Sequence, residues 1–291
     1  MPLLTTGAGA YAAAAAAAYR GPGEDVSGAF AWYGLQAYTT ASIGAVDVIT
    51  LHTTAGGGSD SSPFRTIAGG GLDMAAINTF AAGGTLSVRT WFDQTGNGWT
   101  IGWSTVAEQP LFLTSGINGL PSVQFIAANS HKLGSTAAGT GGPLTDTSGL
   151  TMAQVIKFPT FAGSELNFWA PGTAGGNLFL ARRMNSANTL NFYRTSSNFS
   201  APATDNVAHS IVWALAGTGT NACDICVDGV STLGTLGALL SPDTINDMNM
   251  GGNATWGFAD AVTTEMGIYN FTFSGAQKTA MYNNQHTRYG V

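Results

Sequence analysis

From Val26 onward, apolar positions recur mostly with a period of two, in short runs broken by Gly, Asn, Asp and Ser. The pattern predicts strands over residues 45–53, 86–92, 109–113, 121–126 and 150–158. Further strands are expected over residues 166–169, 177–182, 190–194, 209–215, 223–227, 249–252 and 263–273. Asp228-Gly229 between two apolar runs is a strong hairpin signal, since both residues accept the positive φ of a tight turn. Residues 29–38 are dense in aromatics and read as a short helix or the start of a strand.

Two segments break the strand grammar. Residues 72–80 carry apolar side chains at helical spacing, with Asp73 in the first turn, where the helix dipole favours a carboxylate. Residues 274–290 read as a helix, with Ser274 as its N-cap and Gln277 completing a capping box. Many short strands and few helices predict an all-β fold in which two antiparallel sheets pack face to face. Its single domain covers residues 26–291.

Residues 1–25 differ in character. They run from Gly/Thr-rich through an Ala-rich stretch to a Gly-Pro turn. Seven consecutive alanines are too few for a stable isolated helix. The segment is expected to be a flexible or extended arm; the sharper reading is an arm that orders against a neighbouring subunit, with Tyr11 and Tyr19 as anchors.

Composition narrows the functional classes. Charged residues are 9% of the chain, against roughly a quarter in an average soluble protein. The 40 glycines among 291 residues point to many turns, and the surface is expected to be rich in hydroxyls and amides. A net charge of −6 argues against nucleic acid, which demands a basic patch to displace counterions. No apolar stretch is long enough to span a bilayer, so no membrane insertion is expected. No basic residue precedes the alanine run, so it does not read as a secretory signal. Cys223 and Cys226 lie three apart in a predicted strand, on opposite faces, and read as two buried free thiols.

The most specific stretch is Trp91-Phe92-Asp93-Gln94-Thr95-Gly96-Asn97-Gly98, an alternating strand running into an Asx/Gly turn. It resembles the W-[YF]-D-Q-[ST]-G-N-G signature of the fungal α-L-arabinofuranosidase B catalytic domains and their concanavalin A-like relatives in phage structural proteins. The order of the last elements, an Asp-Gly hairpin, an aromatic strand and a short helix ending Tyr-Gly, is similar to the C-terminus of laminin-G-like modules. The resemblance implies a concanavalin A-like jelly roll with a face that meets sugar.

Sugar recognition needs aromatic platforms flanked by polar groups. Trp99, Trp103, Trp169 and Trp256 each lie in or beside a Gly/Asn-rich loop and are the candidate platforms, with Asp93, Gln94 and Asn97 of the signature beside them. Trp32, Trp91 and Trp213 lie in denser apolar runs and are expected in the core.

The arabinofuranosidases implied by the resemblance are retaining enzymes. They need two carboxyl groups about 5–5.5 Å apart. Glu165 and Glu265 are the catalytic candidates, but the family's adjacent cysteines before an aromatic-acidic stretch are missing here. Each of the four histidines is isolated from any nucleophile or metal spacing. No cofactor is expected. Calcium would find oxygen ligands in Asp243 and Asp247, although a solvated turn is the better reading of that loop.

The leading expectation is therefore a non-enzymatic virion protein, a decoration, fibre or tail component that attaches to a host-surface glycan. It would contact other virion subunits through residues 1–25 and form a homo-oligomer. A glycoside hydrolase acting on surface polysaccharide, and a purely structural sandwich, are the alternatives.

Overall fold

A computed structural model describes residues 18–135, 144–145, 149–159, 165–171, 178–183, 188–194, 197–216, 222–236, 244–245, 248–253 and 257–291. The alternating segments become two antiparallel sheets, packed as a jelly-roll-like β-sandwich.

The first sheet is built around Ala261–Tyr269. On one side this strand pairs with Leu150–Lys157, followed in order by Ala208–Leu215, Ala222–Val227 and Val230–Thr235. On the other side it pairs with Ala31–Gly34 and, at its start, with Ser122–Phe125. The Asp228-Gly229 turn joins the last two strands, with Asp228 at φ 49° and Gly229 at φ 81°.

The second sheet begins with Asp47–Thr53 and Leu86–Trp91. It continues through Ile101–Gly102, Leu133–Ser135, Met248–Met250 and Glu165–Pro171. Leu178–Arg183, Thr189–Arg194 and Ser197–Pro202 complete it. Leu111–Leu113 stitches one corner, pairing with Ser122–Phe125 of the first sheet and with Ser87 of the second.

The main core lies between the sheets. Met152, Ile156, Met266 and Ile268 meet Ile49, Leu51, Trp91 and Met250 across it. A second apolar layer covers the outer face of the first sheet. There the helix Gly275–Tyr289 lays Met281 over Trp32, Ala153 and Tyr269. Hence Ala261–Tyr269 is buried at every position. Gly267 is required in this layer, since a Cβ there would stand 2.3 Å from the Trp32 ring. Trp32, Trp91 and Trp213 are fully buried, as their apolar surroundings in sequence predict.

The helix boundaries follow their caps. The Ser274 hydroxyl accepts from the Gln277 backbone N–H, and the Ser274 backbone N–H donates to the Gln277 side-chain oxygen. The shorter helix spans Met74–Ala81, with Asp73 as N-cap rather than in the first turn, accepting from Ala76 at 3.0 Å. Residues 29–38 resolve into the strand Ala31–Gly34. Cys223 and Cys226 are free and buried, Cys223 in the main core and Cys226 under the helix.

The expected arm is docked on its own domain from residue 18 onward. The Tyr19 hydroxyl donates to the Ala37 carbonyl. Pro22–Asp25 forms a short helical turn, and Asn284 of the C-terminal helix donates to Asp25 at 2.7 Å. Tyr19 thus anchors to this chain. Tyr11 lies outside the described residues.

Candidate functional site: the outer face of the second sheet

The signature turn is a clamp inside the molecule. Asp93 accepts from the backbone N–H groups of Trp32 (3.0 Å), Thr95 (2.9 Å) and Trp99 (3.2 Å). Gln94, 4% exposed, donates to the Gly34 and Gln36 carbonyls and accepts from the Tyr38 N–H. Asn97 donates to the Phe30 carbonyl at 2.9 Å. Trp99 is fully buried, with its ring centroid 5.4 Å from that of Phe30. These four residues were expected at a sugar surface. Instead, the geometry commits Asp93, Gln94 and Asn97 to backbone groups and leaves the Trp99 indole no free face. The reason is chemical economy: the first sheet's edge segment, residues 30–38, offers backbone groups to the turn, and the turn's polar side chains satisfy them.

Trp103 is placed differently. It follows Ile101–Gly102, is half-buried and packs in part against the main core, while also bordering the recess described below. Its indole N–H donates to Glu108 at 2.8 Å. The Lys132 ammonium stands 4.4 Å from the Trp103 ring centroid and 2.8 Å from the Glu108 carboxylate. Lys132 and Trp103 together hold the Glu108 carboxyl below its ordinary pKa, so it stays ionised. The indole is therefore held at one edge by Glu108.

Register explains why the surface beside it is hollow. Thr50, Thr90, Gly102, Gly134 and Asn249 stand opposite one another in five successive strands. Each is partly exposed, whereas Ile49, Leu51, Trp91, Ile101, Leu133 and Met250 in the flanking rows are buried. The row thus faces outward, and its two central members lack side chains. A Cβ on Gly134 would stand 2.6 Å from the Asn249 side-chain oxygen. The result is an open recess of about 330 Å³ lined by Arg89, Thr90, Gly102, Trp103, Ser104 and Gly134.

Arg89 reaches this recess through a β-bulge. Thr50 pairs with Thr90 and Leu51 with Val88, so Arg89 is the extra residue. A bulge re-aims the side chain it carries. The guanidinium donates to the Trp103 carbonyl at 2.9 Å and lies 3.5 Å from Asp60, which also meets His52 at 2.8 Å.

Glu265 is fully buried beneath the C-terminal helix. Its carboxyl group accepts from Gln36 (2.8 Å), Gln285 (2.9 Å) and Tyr289 (2.9 Å). Burial raises its pKa, and those donors only partly offset the rise. Enclosed on the first sheet, it has no route to a sugar on the second. The backbone register sets Trp169 opposite Asn249, in line with the recess row. The side chains of Glu165 and Trp169, and all of Trp256, Asp243 and Asp247, lie outside the described residues. Among the described residues no cluster of three metal-ligating side chains occurs.

Arg89, Glu108, Lys132 and the Gly102–Gly134 pair were not singled out from the sequence. The bulge and the row depend on strand register, which the period-two pattern does not encode. Gln109-Pro110 reads in the sequence only as the start of a strand, and Glu108 only as one acidic residue among many.

No family model matches the chain, and no curated protein matches it in sequence. Solved structures do. An arabinofuranosidase complexed with arabinofuranosyl-α-1,2-xylobiose superimposes with a TM-score of 0.70 at 15% identity, over 91% of this chain and 64% of that one. A GH54 α-L-arabinofuranosidase soaked with a cyclic sulfate inhibitor gives 0.68 at 15% identity, over 88% and 62%. The botulinum neurotoxin serotype G binding domain gives 0.50 at 12% identity, over 83% and 52%. These likenesses establish the fold as the β-sandwich those proteins share. The chain spans less than two thirds of the arabinofuranosidases' length.

Proposed function

We propose that this chain is a glycan-binding β-sandwich whose ligand lies on the outer face of the second sheet. One observation carries the reading: Trp103, its indole held by Glu108, borders a recess floored by Gly102 and Gly134. The CH face of a sugar ring packs on an indole, and hydroxyls find partners in Arg89, Thr90 and Ser104. Both local cations already face carboxylates, Lys132 with Glu108 and Arg89 with Asp60, which suits a neutral sugar. The arabinofuranosidase fold and the signature resemblance support a concanavalin A-like lineage for the sandwich.

We place the module on a virus particle, as a decoration, fibre or tail element meeting a host-surface glycan. Support comes from the low charge, the resemblance to phage structural proteins and the composition of residues 1–25. Homo-oligomerisation would compensate for weak single sites by avidity.

A glycan array run with the native chain and with Trp103→Ala tests the reading. Selective binding that the substitution abolishes, in a variant that still unfolds cooperatively, is expected. Silence from the native chain overturns it.

Glycoside hydrolysis is the second reading, resting on the superposition over 91% of the chain with an arabinofuranosidase. It requires turnover of aryl-arabinofuranosides that Glu165→Gln abolishes. No release of the aryl group by the native chain excludes it for that substrate class.

A further inference from the structure

On the opposite side of the molecule, the docked segment from Ala18, the Gln36 turn and the C-terminal helix line an open cavity of about 630 Å³. Its polar wall comprises Tyr19, Gln36, Asn283, Asn284, Thr287 and Arg288, together with Arg20 and Asp25, whose charges face each other in an ion pair. A smaller apolar compartment of about 160 Å³, bordered by Leu72, Met74 and Leu120, shares Gln36 and Arg288 with it. Both volumes therefore meet at the same two side chains.

Those two side chains have unspent hydrogen-bonding capacity. Gln36 is 2% exposed. Its amide nitrogen donates to Glu265, but its side-chain oxygen has no partner. A buried acceptor left unmade costs about 1–3 kcal/mol, so it calls for a donor. Gln36 cannot turn away, because Gln94 grips its carbonyl and Glu265 grips its amide. Arg288, in the last turn of the helix, forms no hydrogen bond or ion pair with any described residue, in contrast to Arg20, Arg65 and Arg89. Its guanidinium passes over Gly71, where a Cβ would stand 3.2 Å from it, and Gly71 bridges Gln36. A guanidinium whose charge reaches buried Glu265 but which has no hydrogen-bond partner among the described residues, and a buried acceptor, thus belong to the lining of one cavity of ligand size.

We propose that this cavity binds a small 2-hydroxycarboxylate, its carboxylate paired with Arg288 and its hydroxyl donating to the Gln36 side-chain oxygen. The planar guanidinium takes a carboxylate through two parallel hydrogen bonds. The hydroxyl supplies the donor that Gln36 lacks. Asn283 and Thr287 lie in the same wall for further hydroxyls of a sugar acid, and the apolar compartment would take the branch of an aliphatic hydroxy acid. This site is separate from the recess at Trp103 and does not depend on the glycan reading.

The test is a titration of the full chain followed through the Gln36 side-chain amide and Arg288 guanidinium NMR signals. The probes are D-gluconate, 2-hydroxyisovalerate and acetate. At least one hydroxy acid is expected to shift both signals saturably and to bind at least tenfold more tightly than acetate. Which one does so identifies the sugar-acid or the aliphatic source. Arg288→Gln should weaken that binding at least tenfold, and Arg288→Lys, which keeps the charge but loses the fork, severalfold, with unchanged melting temperatures. Unmoved signals, equal response to acetate, or undiminished binding by Arg288→Gln overturns the proposal. In that case a water molecule satisfies Gln36.

Discussion

The Asp93 carboxylate accepts the backbone N–H of Trp32, 61 residues earlier in the chain, at 3.0 Å. With the Thr95 and Trp99 N–H groups it completes a three-donor clamp between the signature turn and the strand Ala31–Gly34. Removing the carboxylate orphans all three donors at once. Asp93→Ala should therefore lower the unfolding free energy by about 3–5 kcal/mol, and Asp93→Asn, which keeps one acceptor oxygen, by about 1–2 kcal/mol. Urea denaturation measures both. A loss below 0.5 kcal/mol for Asp93→Ala, the range of an ordinary surface change, would show that the clamp is dispensable.

Trp99 and Trp103 stand four residues apart with opposite assignments. Trp99 is enclosed against Phe30, while Trp103 borders the outer recess. Trp99→Ala should cost about 3–5 kcal/mol through the cavity it leaves. Trp103→Ala should cost less, about 1–3 kcal/mol, since the half-buried ring loses its packing on the core and its bond to Glu108, and should remove glycan binding. Denaturation and array binding on the two variants read the contrast. Glycan binding that survives Trp103→Ala moves the ligand elsewhere.

How these two residues differ marks what the chain shows of itself. Both lie in one Gly/Asn-rich stretch, and composition alone treats them alike. The decisive neighbour of Trp99 is Phe30, remote in sequence, so local pattern carries no trace of it. Local signals succeeded where the physics is local: the Ser274–Gln277 capping box and the Asp228-Gly229 turn fall where expected. The buried Trp32, Trp91 and Trp213 were legible from their apolar runs. The recess was not, because it depends on Gly102, Gly134 and Asn249 aligning across strands from distant parts of the chain. Arg89 enters it through a one-residue bulge that hydrophobic alternation conceals.

His209 ties the hairpin turn to the first sheet. Its Nδ1 meets Asp228 at 2.6 Å, and its Nε2 meets the Thr204 carbonyl at 2.9 Å. Burial opposes the charged imidazolium, yet the Asp228 carboxylate and the Thr204 carbonyl outweigh it, so the pKa is raised. The folded state therefore holds the proton more tightly than the unfolded chain, whose histidine titrates near about 6.5. The stabilisation is fully present below about pH 6.5 and is lost as pH rises through the folded value. The denaturation midpoint should fall over that interval in the native chain and stay flatter in His209→Gln. Parallel profiles for the two proteins would remove His209 as the source.

Glu265 offers the corresponding test for an acid. Burial raises its pKa, with Gln285, Gln36 and Tyr289 pulling it part of the way back. The folded chain thus retains a proton that the unfolded chain releases near about pH 4.3. Stability from this group is full below that pH and declines as pH rises through the folded value, the opposite sign to a salt-bridged carboxylate. Glu265→Gln should flatten that decline, since the amide cannot ionise. Glu265→Ala should instead destabilise at every pH by about 3–5 kcal/mol, because it strands the donors of Gln36, Gln285 and Tyr289 under the helix. Unfolding measured from pH 4 to pH 8 on the three proteins separates the two effects. The strap of polar contacts from the Gln36 turn to the C-terminal helix would be shown unnecessary if Glu265→Ala matched the native chain. Because Glu265 also holds the Gln36 amide, the same substitution should broaden the Gln36 side-chain NMR signal, a local readout that a purely global loss of stability would not produce.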